Sequence, residues 1–260
     1  MTLLVVAGLT KRFGGVAAAK DVSFTLDAGE MLAIIGPNGA GKSTTFNMVG
    51  GQLRPDSGSI TLEGASIAGL PARAIWKAGV GRTFQVAQTF VSMTVAENVQ
   101  MALLSHHGRS RGLFRDARAL YRDEALALLA GVGMRADAER PVSELAYGDV
   151  KRVELAVALA SRPKLLLMDE PTAGMAPRER SSLMALTAEV ARARSIGVLY
   201  TEHDMEAVFA HADRVLVLVR GEIIAAGTPE EIRANPRVKQ VYLGEAGTEA
   251  AMRARRKAVA

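Results

Sequence analysis

The stretch that most constrains this chain is residues 31–49, MLAIIGPNGAGKSTTFNMV, where an apolar run feeds a glycine-rich turn that opens directly into a helical pattern. Lacking a Cβ, Gly36, Gly39 and Gly41 let the backbone curl until successive N–H groups converge on an anion, and the positive end of the following helix adds to the attraction. The spacing G-x-x-x-x-G-K-[ST] sets a cation and a hydroxyl just after the turn. Lys42 is placed to reach the β and γ phosphates of a nucleoside triphosphate, and Ser43 to offer its hydroxyl to magnesium. Pro37, Asn38, Ala40 and Thr44 complete the phosphate-binding loop. A loop of this kind belongs between a strand and a helix, so the remainder should supply an α/β fold.

The chain has room for one. With 260 residues, 49% hydrophobic and 23% charged, it can bury a large α/β core with a subdomain. Cysteine is absent, which excludes structural disulfides, Cys-ligated zinc and iron–sulfur clusters. The opening MTLLVVAGLTKRF lacks a basic lead and a small-residue cleavage site, and reads as a first strand rather than a signal peptide. No window approaches 18 uninterrupted apolar residues, so the chain is not expected to cross a bilayer by itself. The net charge of +5 is modest and largely dispersed, and its one cluster, RARRK at 253–257, reads as a solvated basic tail. No nucleic-acid partner is expected. His106 and His107 stand in a basic loop without cysteines or clustered acids nearby, which does not suit a metal, and Trp76 reads as packing.

Along the chain, the short β-prone runs LLVV, VSFTL and MLAII are separated by glycine turns, and SITLEG adds another strand after the helix that starts at Lys42 and runs to about Val49. Thr94 with Glu97 makes a capping box for a helix VAENVQMALL, which opens a helical region. A second helix is predicted from about Asp116 to Ala130, stopped by Gly131 and Gly133. A third, over GDVKRVELAVALA, carries Val150, Val153, Ala156, Val157 and Ala160 at helical spacing, with Asp149 suited to its cap. Then KLLLMDE, IGVLYT and VLVLV read as buried parallel strands, residues 177–194 as a helix, and Thr228-Pro229-Glu230-Glu231 as the capped start of a last one. Strands alternating with helices predict a doubly wound sheet.

The apolar run of KLLLMDEP ends on Asp169 and Glu170, at the strand end where open α/β sheets bind ligands. Asp169 is set to hold magnesium through its water shell, and Glu170 to polarise the water that attacks the γ-phosphate. Gln85, in GRTFQ, could reach magnesium or that water with its amide, and His203, after IGVLYT, could hydrogen-bond the γ-phosphate. Taken singly, both residue types are more often surface or structural groups. Phe13 suits either stacking on adenine or a place in the core.

In this order the pieces resemble an ATP-binding-cassette ATPase over nearly the whole chain. The resemblance implies a P-loop NTPase (RecA-like) core with an N-terminal antiparallel β subdomain and an inserted α-helical subdomain. It divides the chain into an ATPase domain at 1–245, with the helical subdomain at 88–160, and a tail at 246–260. It makes Gln85 the glutamine loop and magnesium contact, His203 the switch histidine, and Leu145, Ala146, Tyr147, Gly148 and Asp149 the signature that completes the ATP site of an opposing subunit. Lys42, Gln85, Glu170 and His203 are then the catalytic set, with ATP and Mg²⁺ as substrate and cofactor. LAYG, TEHDMEAVF and NPRVKQVYLGE resemble in particular the ATP-binding subunits of branched-chain amino acid importers. That branch implies a second ATPase subunit, two transmembrane permeases, an external solute-binding protein, and a peripheral position on the cytoplasmic face of the cytoplasmic membrane. Its relatives also move urea, amides and other small polar solutes.

The match departs from the family's LSGGQ at Ala146, Tyr147 and Asp149, and Ala176 stands where an aspartate commonly couples the two ATP sites. Ala146 and Ala176 motivate an alternative in which the chain is a nucleotide-gated subunit whose partner hydrolyses. A soluble cassette of DNA repair or translation is disfavoured, because no long heptad coil lies between Gln85 and Leu145 and no second cassette follows.

Overall fold

The computed structural model describes residues 1–83, 89–108 and 120–242. The chain opens with two long strands, β1 (Thr2–Phe13) and β2 (Val16–Asp27), followed by β3 (Met31–Ile35) and α1 (Lys42–Val49). Then come β4 (Ser57–Leu62), β5 (Ala65–Ser66), α2 (Ala72–Lys77) and β6 (Val80–Thr83). A helical group follows, made of α3 (Val95–His106), α4 (Arg122–Gly131) and α5 (Tyr147–Leu159). The last part alternates β7 (Leu165–Asp169), α6 (Pro177–Arg194), β8 (Gly197–Thr201), α7 (Met205–His211), β9 (Arg214–Val219), β10 (Glu222–Gly227) and α8 (Pro229–Ala234).

The strands form two sheets. One is antiparallel, in the order β2-β1-β4-β5, and the other runs β10-β9-β3-β8-β7-β6 with five parallel strands and an antiparallel edge at β10. Side chains alternate across a strand, so each central strand of the parallel sheet feeds two cores. Met31, Ala33 and Ile35 of β3 pack with Leu166 and Met168 of β7 and Val198 of β8 against α3, α4, α5 and α6. The intervening Leu32, Ile34, Leu167 and Leu199 pack on the opposite face against α1 and the antiparallel sheet. The α/β architecture with an antiparallel subdomain on one face and a helical group on the other agrees with the expectation.

Several details differ from the sequence reading. β1 and β2 are each 12 residues long rather than short runs, because the pairing register shifts around Gly8 (φ 64°) and lets one strand bend over the core. α4 starts at Arg122, after Tyr121 in the left-handed region; Asp116, where the sequence reading began this helix, lies outside the described residues. α5 starts at Tyr147 with Ala146 as its N-cap; Asp149 sits inside the first turn, where its charge favours the helix dipole but does not cap. The capping boxes at Thr94 and Thr228 are both present, and α6 spans Pro177–Arg194 as expected.

At the start of α3, Thr94 N–H donates to Glu97 Oε2 at 2.9 Å and Glu97 N–H donates to Thr94 Oγ1 at 3.2 Å. Replacing Thr94 with alanine removes one half of this box and should destabilise the chain by about 1 kcal/mol in urea denaturation, with an unchanged m-value.

Candidate functional site

β3 delivers the phosphate loop to the C-terminal edge of the parallel sheet, and main-chain contacts hold it there. A Cβ on Gly36 (φ 149°) would stand 2.1 Å from the Leu218 carbonyl oxygen of β9, and one on Gly41 (φ 102°) would stand 2.1 Å from the Ala18 oxygen of β2. Only glycine fits either position. Gly221, in the β9–β10 turn, donates its N–H to the Ala40 oxygen at 2.8 Å and so ties the loop to a third segment. The N-terminus of α1 follows with Gly41 as its cap residue, no side-chain cap and no acidic residue in its first turn. Its leading N–H groups are therefore suited to receive an anion.

Lys42, 6% exposed, donates its ammonium to the Gly36 and Pro37 oxygens at 2.6 and 3.1 Å. The loop lines a cleft of about 280 Å³ together with Phe13, Ala18, Glu170 and His203. Phe13 is half exposed at this cleft and is not in either core.

The acidic pair comes from β7. Asp169 is directly opposite Thr201 of β8, accepts that residue's hydroxyl at 2.8 Å, and lies 3.6 Å from the Arg82 guanidinium. Burial pushes the Arg82 guanidinium below its ordinary range, with the Asp169 charge acting in the opposite sense. Glu170 has a left-handed backbone (φ 46°), held by its N–H donating to both the carbonyl and the hydroxyl oxygen of Thr201 at 3.1 Å. Its Oε1 meets His203 Nε2 at 2.6 Å. Asp204, next in sequence, caps α7 through the N–H groups of Glu206 and Ala207 and pairs with Arg180. Burial raises its carboxyl, but those N–H groups and the guanidinium outweigh it and hold the pKa below the usual range.

The sequence reading missed three groups here. Arg82 on β6 bonds Asn47 and Gln52, at 2.9 and 2.5 Å, and approaches Asp169; Thr201 orients the acidic pair; Glu202, 4% exposed, accepts from Thr172 and from His203 N–H. For Arg82 and Glu202 the available signal was a charged residue at a buried strand end, which is costly unless partnered; Thr201 offered none. Gln85 lies outside the described residues. Leu145 to Asp149 do not line this cleft, and Gly148 among them is buried. Gly148 and Asp149 line a separate cleft with Arg152, Met175 and Glu179, and Tyr147, 44% exposed, lies beside Gly174 in the loop after Glu170. His106 and His107 form an aromatic series from Trp76 to Tyr121, and no cluster suited to a metal ion occurs among the described residues. No helix among them is long and apolar enough to cross a membrane.

The cleft thus combines uncapped N–H groups and a buried lysine, which suit an anion, with a carboxylate held against an imidazole at its mouth. Fold and site together define a P-loop ATPase. Residues 19–173 match the family model for the ABC transporter, and the chain belongs to that family. A second model, for the branched-chain amino acid ATP-binding cassette transporter, matches residues 222–248.

The chain is 43% identical over 253 residues to the high-affinity branched-chain amino acid transport ATP-binding protein LivG of Salmonella typhimurium, covering 94% of this chain and 98% of that one. It is 41% identical to the corresponding BraF of Pseudomonas aeruginosa, with the same coverage. It is also 36% identical to the lipopolysaccharide export system ATP-binding protein LptB of Haemophilus influenzae, again over 94% of this chain and 98% of that one. Among solved structures, an ATP-binding cassette of an ABC transporter in its ADP conformation superposes with a TM-score of 0.84 at 30% identity, covering 94% of this chain and 99% of that one. A nucleotide-free cassette gives 0.82 at 31% identity, covering 93% and 99%.

The close approaches around the loop separate its glycines. A Cβ on Gly39 (φ 78°) meets no atom within 4 Å, so Gly39→Ala should cost about 1 kcal/mol of backbone strain. Gly41→Ala adds a clash with the main chain of β2 and should cost at least ~2 kcal/mol more in denaturant melts, with ATP binding followed by fluorescent-nucleotide titration lost in parallel.

Proposed function

We propose that this chain is the ATP-hydrolysing subunit of an importer for branched-chain or closely related amino acids. The observation that carries the hydrolytic part is the 2.6 Å contact between His203 Nε2 and Glu170 Oε1 at the mouth of the phosphate-loop cleft. The solute class is supported by the names of LivG and BraF and by the second family match.

In this reading the N–H groups of Gly39 and of Gly41 to Thr44 and the Lys42 ammonium hold the β and γ phosphates, and Phe13 stacks on the base. Glu170 takes the proton of the attacking water as general base, and His203 keeps that carboxylate oriented while reaching the γ-phosphate. The Ser43 hydroxyl, the Asp169 carboxylate and the Gln85 amide would supply oxygen donors, the kind that suits Mg²⁺, and the Thr201 hydroxyl bonds the Asp169 carboxylate. When bound, the ion neutralises charge on the phosphate oxygens.

Leu145 to Asp149 would close the site of a second ATPase subunit, since on one chain they do not share the phosphate-loop cleft. Residues 1–245 form the ATPase domain, 88–160 its helical subdomain and 246–260 a basic tail. Two permeases, with an external solute-binding protein beyond them, hold the subunit on the cytoplasmic face of the membrane, and exposed Phe90 and Val91 are assigned to the permease side.

In the assembled transporter, Glu170→Gln should leave ATP binding intact and slow phosphate release by at least ~10²-fold. Uptake of labelled leucine into proteoliposomes should fall in step. Unchanged turnover would remove Glu170 as the base, whereas ATP-driven uptake of urea but not leucine would move the solute class.

A further inference from the structure

The dipeptide that precedes His203 touches every acidic or switching group of the site. Thr201 Oγ1 donates to Asp169 at 2.8 Å and accepts from Glu170 N–H at 3.1 Å. Glu202 divides its two oxygens between two loops. Its Oε1 accepts from the Thr172 N–H at 3.0 Å and from the Thr172 hydroxyl at 2.6 Å, in the turn that carries Glu170. Its Oε2 accepts from the N–H of His203 at 3.1 Å.

We propose that Glu202 is a positioning residue for ATP hydrolysis, a clamp that fixes the turn carrying Glu170 against the turn carrying His203 and so sets the contact between them. The proposal rests on the roles given above to Glu170 and His203. Glu202 is 4% exposed, and no ion pair reaches it among the described residues. A carboxylate so buried is costly, and three donors offset that cost. The need is for an acceptor at both ends. An ionised carboxylate has only acceptors, whereas a glutamine of the same size has one oxygen and one NH₂. Turned one way, that NH₂ faces the His203 N–H; turned the other way, it faces the Thr172 N–H. The first orientation releases the His203 turn; the second takes the acceptor away from the Thr172 N–H and leaves that turn held only through the Thr172 hydroxyl. Aspartate keeps the charge but is one methylene shorter, so it too cannot reach both.

The test uses the assembled transporter and compares Glu202→Gln, Thr172→Val and the double variant with Glu170→Gln. Glu202→Gln should lower kcat about 10-fold or more, the scale of a misplaced catalytic group, while the KM for ATP and the fluorescent-nucleotide affinity stay within about 2-fold. Thr172→Val, which loses the hydroxyl but keeps the N–H, should lower kcat several-fold at unchanged affinity, and should add little in the Glu202→Gln background because the two act as a unit.

A folded Glu202→Gln with wild-type kcat, or a lowered melting temperature alone, overturns the proposal, as does full additivity with Thr172→Val. Should Glu202→Gln not fold, Thr172→Val decides by the same kcat criterion. If Glu170→Gln keeps its turnover, the base assignment falls and takes this inference with it. If Glu170→Gln stops turnover and Glu202→Gln does not, only the clamp is wrong.

Discussion

The phosphate loop keeps its shape because two main-chain oxygens from distant strands stand where its Cβ atoms would be. Leu218 presses on Gly36 from β9 and Ala18 presses on Gly41 from β2, while the Gly221 N–H holds Ala40 from a third side. Loops are ordinarily the mobile part of a domain. This one is wedged between two sheets, so its N–H groups are aimed before any ligand arrives, and little ordering remains to be done on binding.

The same economy extends to the chemistry. β7 and β8 are neighbours in strict register, so Asp169 and Thr201 lie side by side where their strands end. Each strand is fixed on both faces by the two cores, which leaves the strand ends with little freedom to tilt. The turn after β7 then takes Glu170 through a left-handed backbone that glutamic acid rarely adopts, at a cost of order 1 kcal/mol that two hydrogen bonds from its N–H offset. The main chain thus sets where the Glu170 side chain leaves the backbone, and the His203 contact holds its carboxylate.

What could be read from the sequence was local, and what could not was tertiary. The loop, α1, both capping boxes and α6 depend on residues within a turn or two of each other, and each was legible. The length of β1 and β2 depends on a bend at Gly8 over a core supplied by other strands, which no short window contains. Asp149 has a capping residue's chemistry, but the chain turns into α5 earlier, at Ala146, so Asp149 falls within the helix. β10 and α7 escaped because a six-residue edge strand and a seven-residue helix carry too little periodicity, and Arg220-Gly221 is not among the strong hairpin signals. At the site, Lys42, Asp169 and Glu170 stood out by type and spacing and His203 only through the family resemblance, whereas Thr201 and Glu202 gain their meaning only from loops about 30 residues away.

The wedge around the loop also orders events in time. The phosphate-loop sequence is written in the first fifth of the chain, yet of its fixing contacts only Ala18 precedes it, while Leu218 and Gly221 come far later and β3 itself lies between β8 and β9. A growing chain holds the whole GPNGAGKST sequence long before it holds a phosphate site. Closing so long a loop is entropically slow, so competence to grip nucleotide appears with the last parallel strand, late in folding.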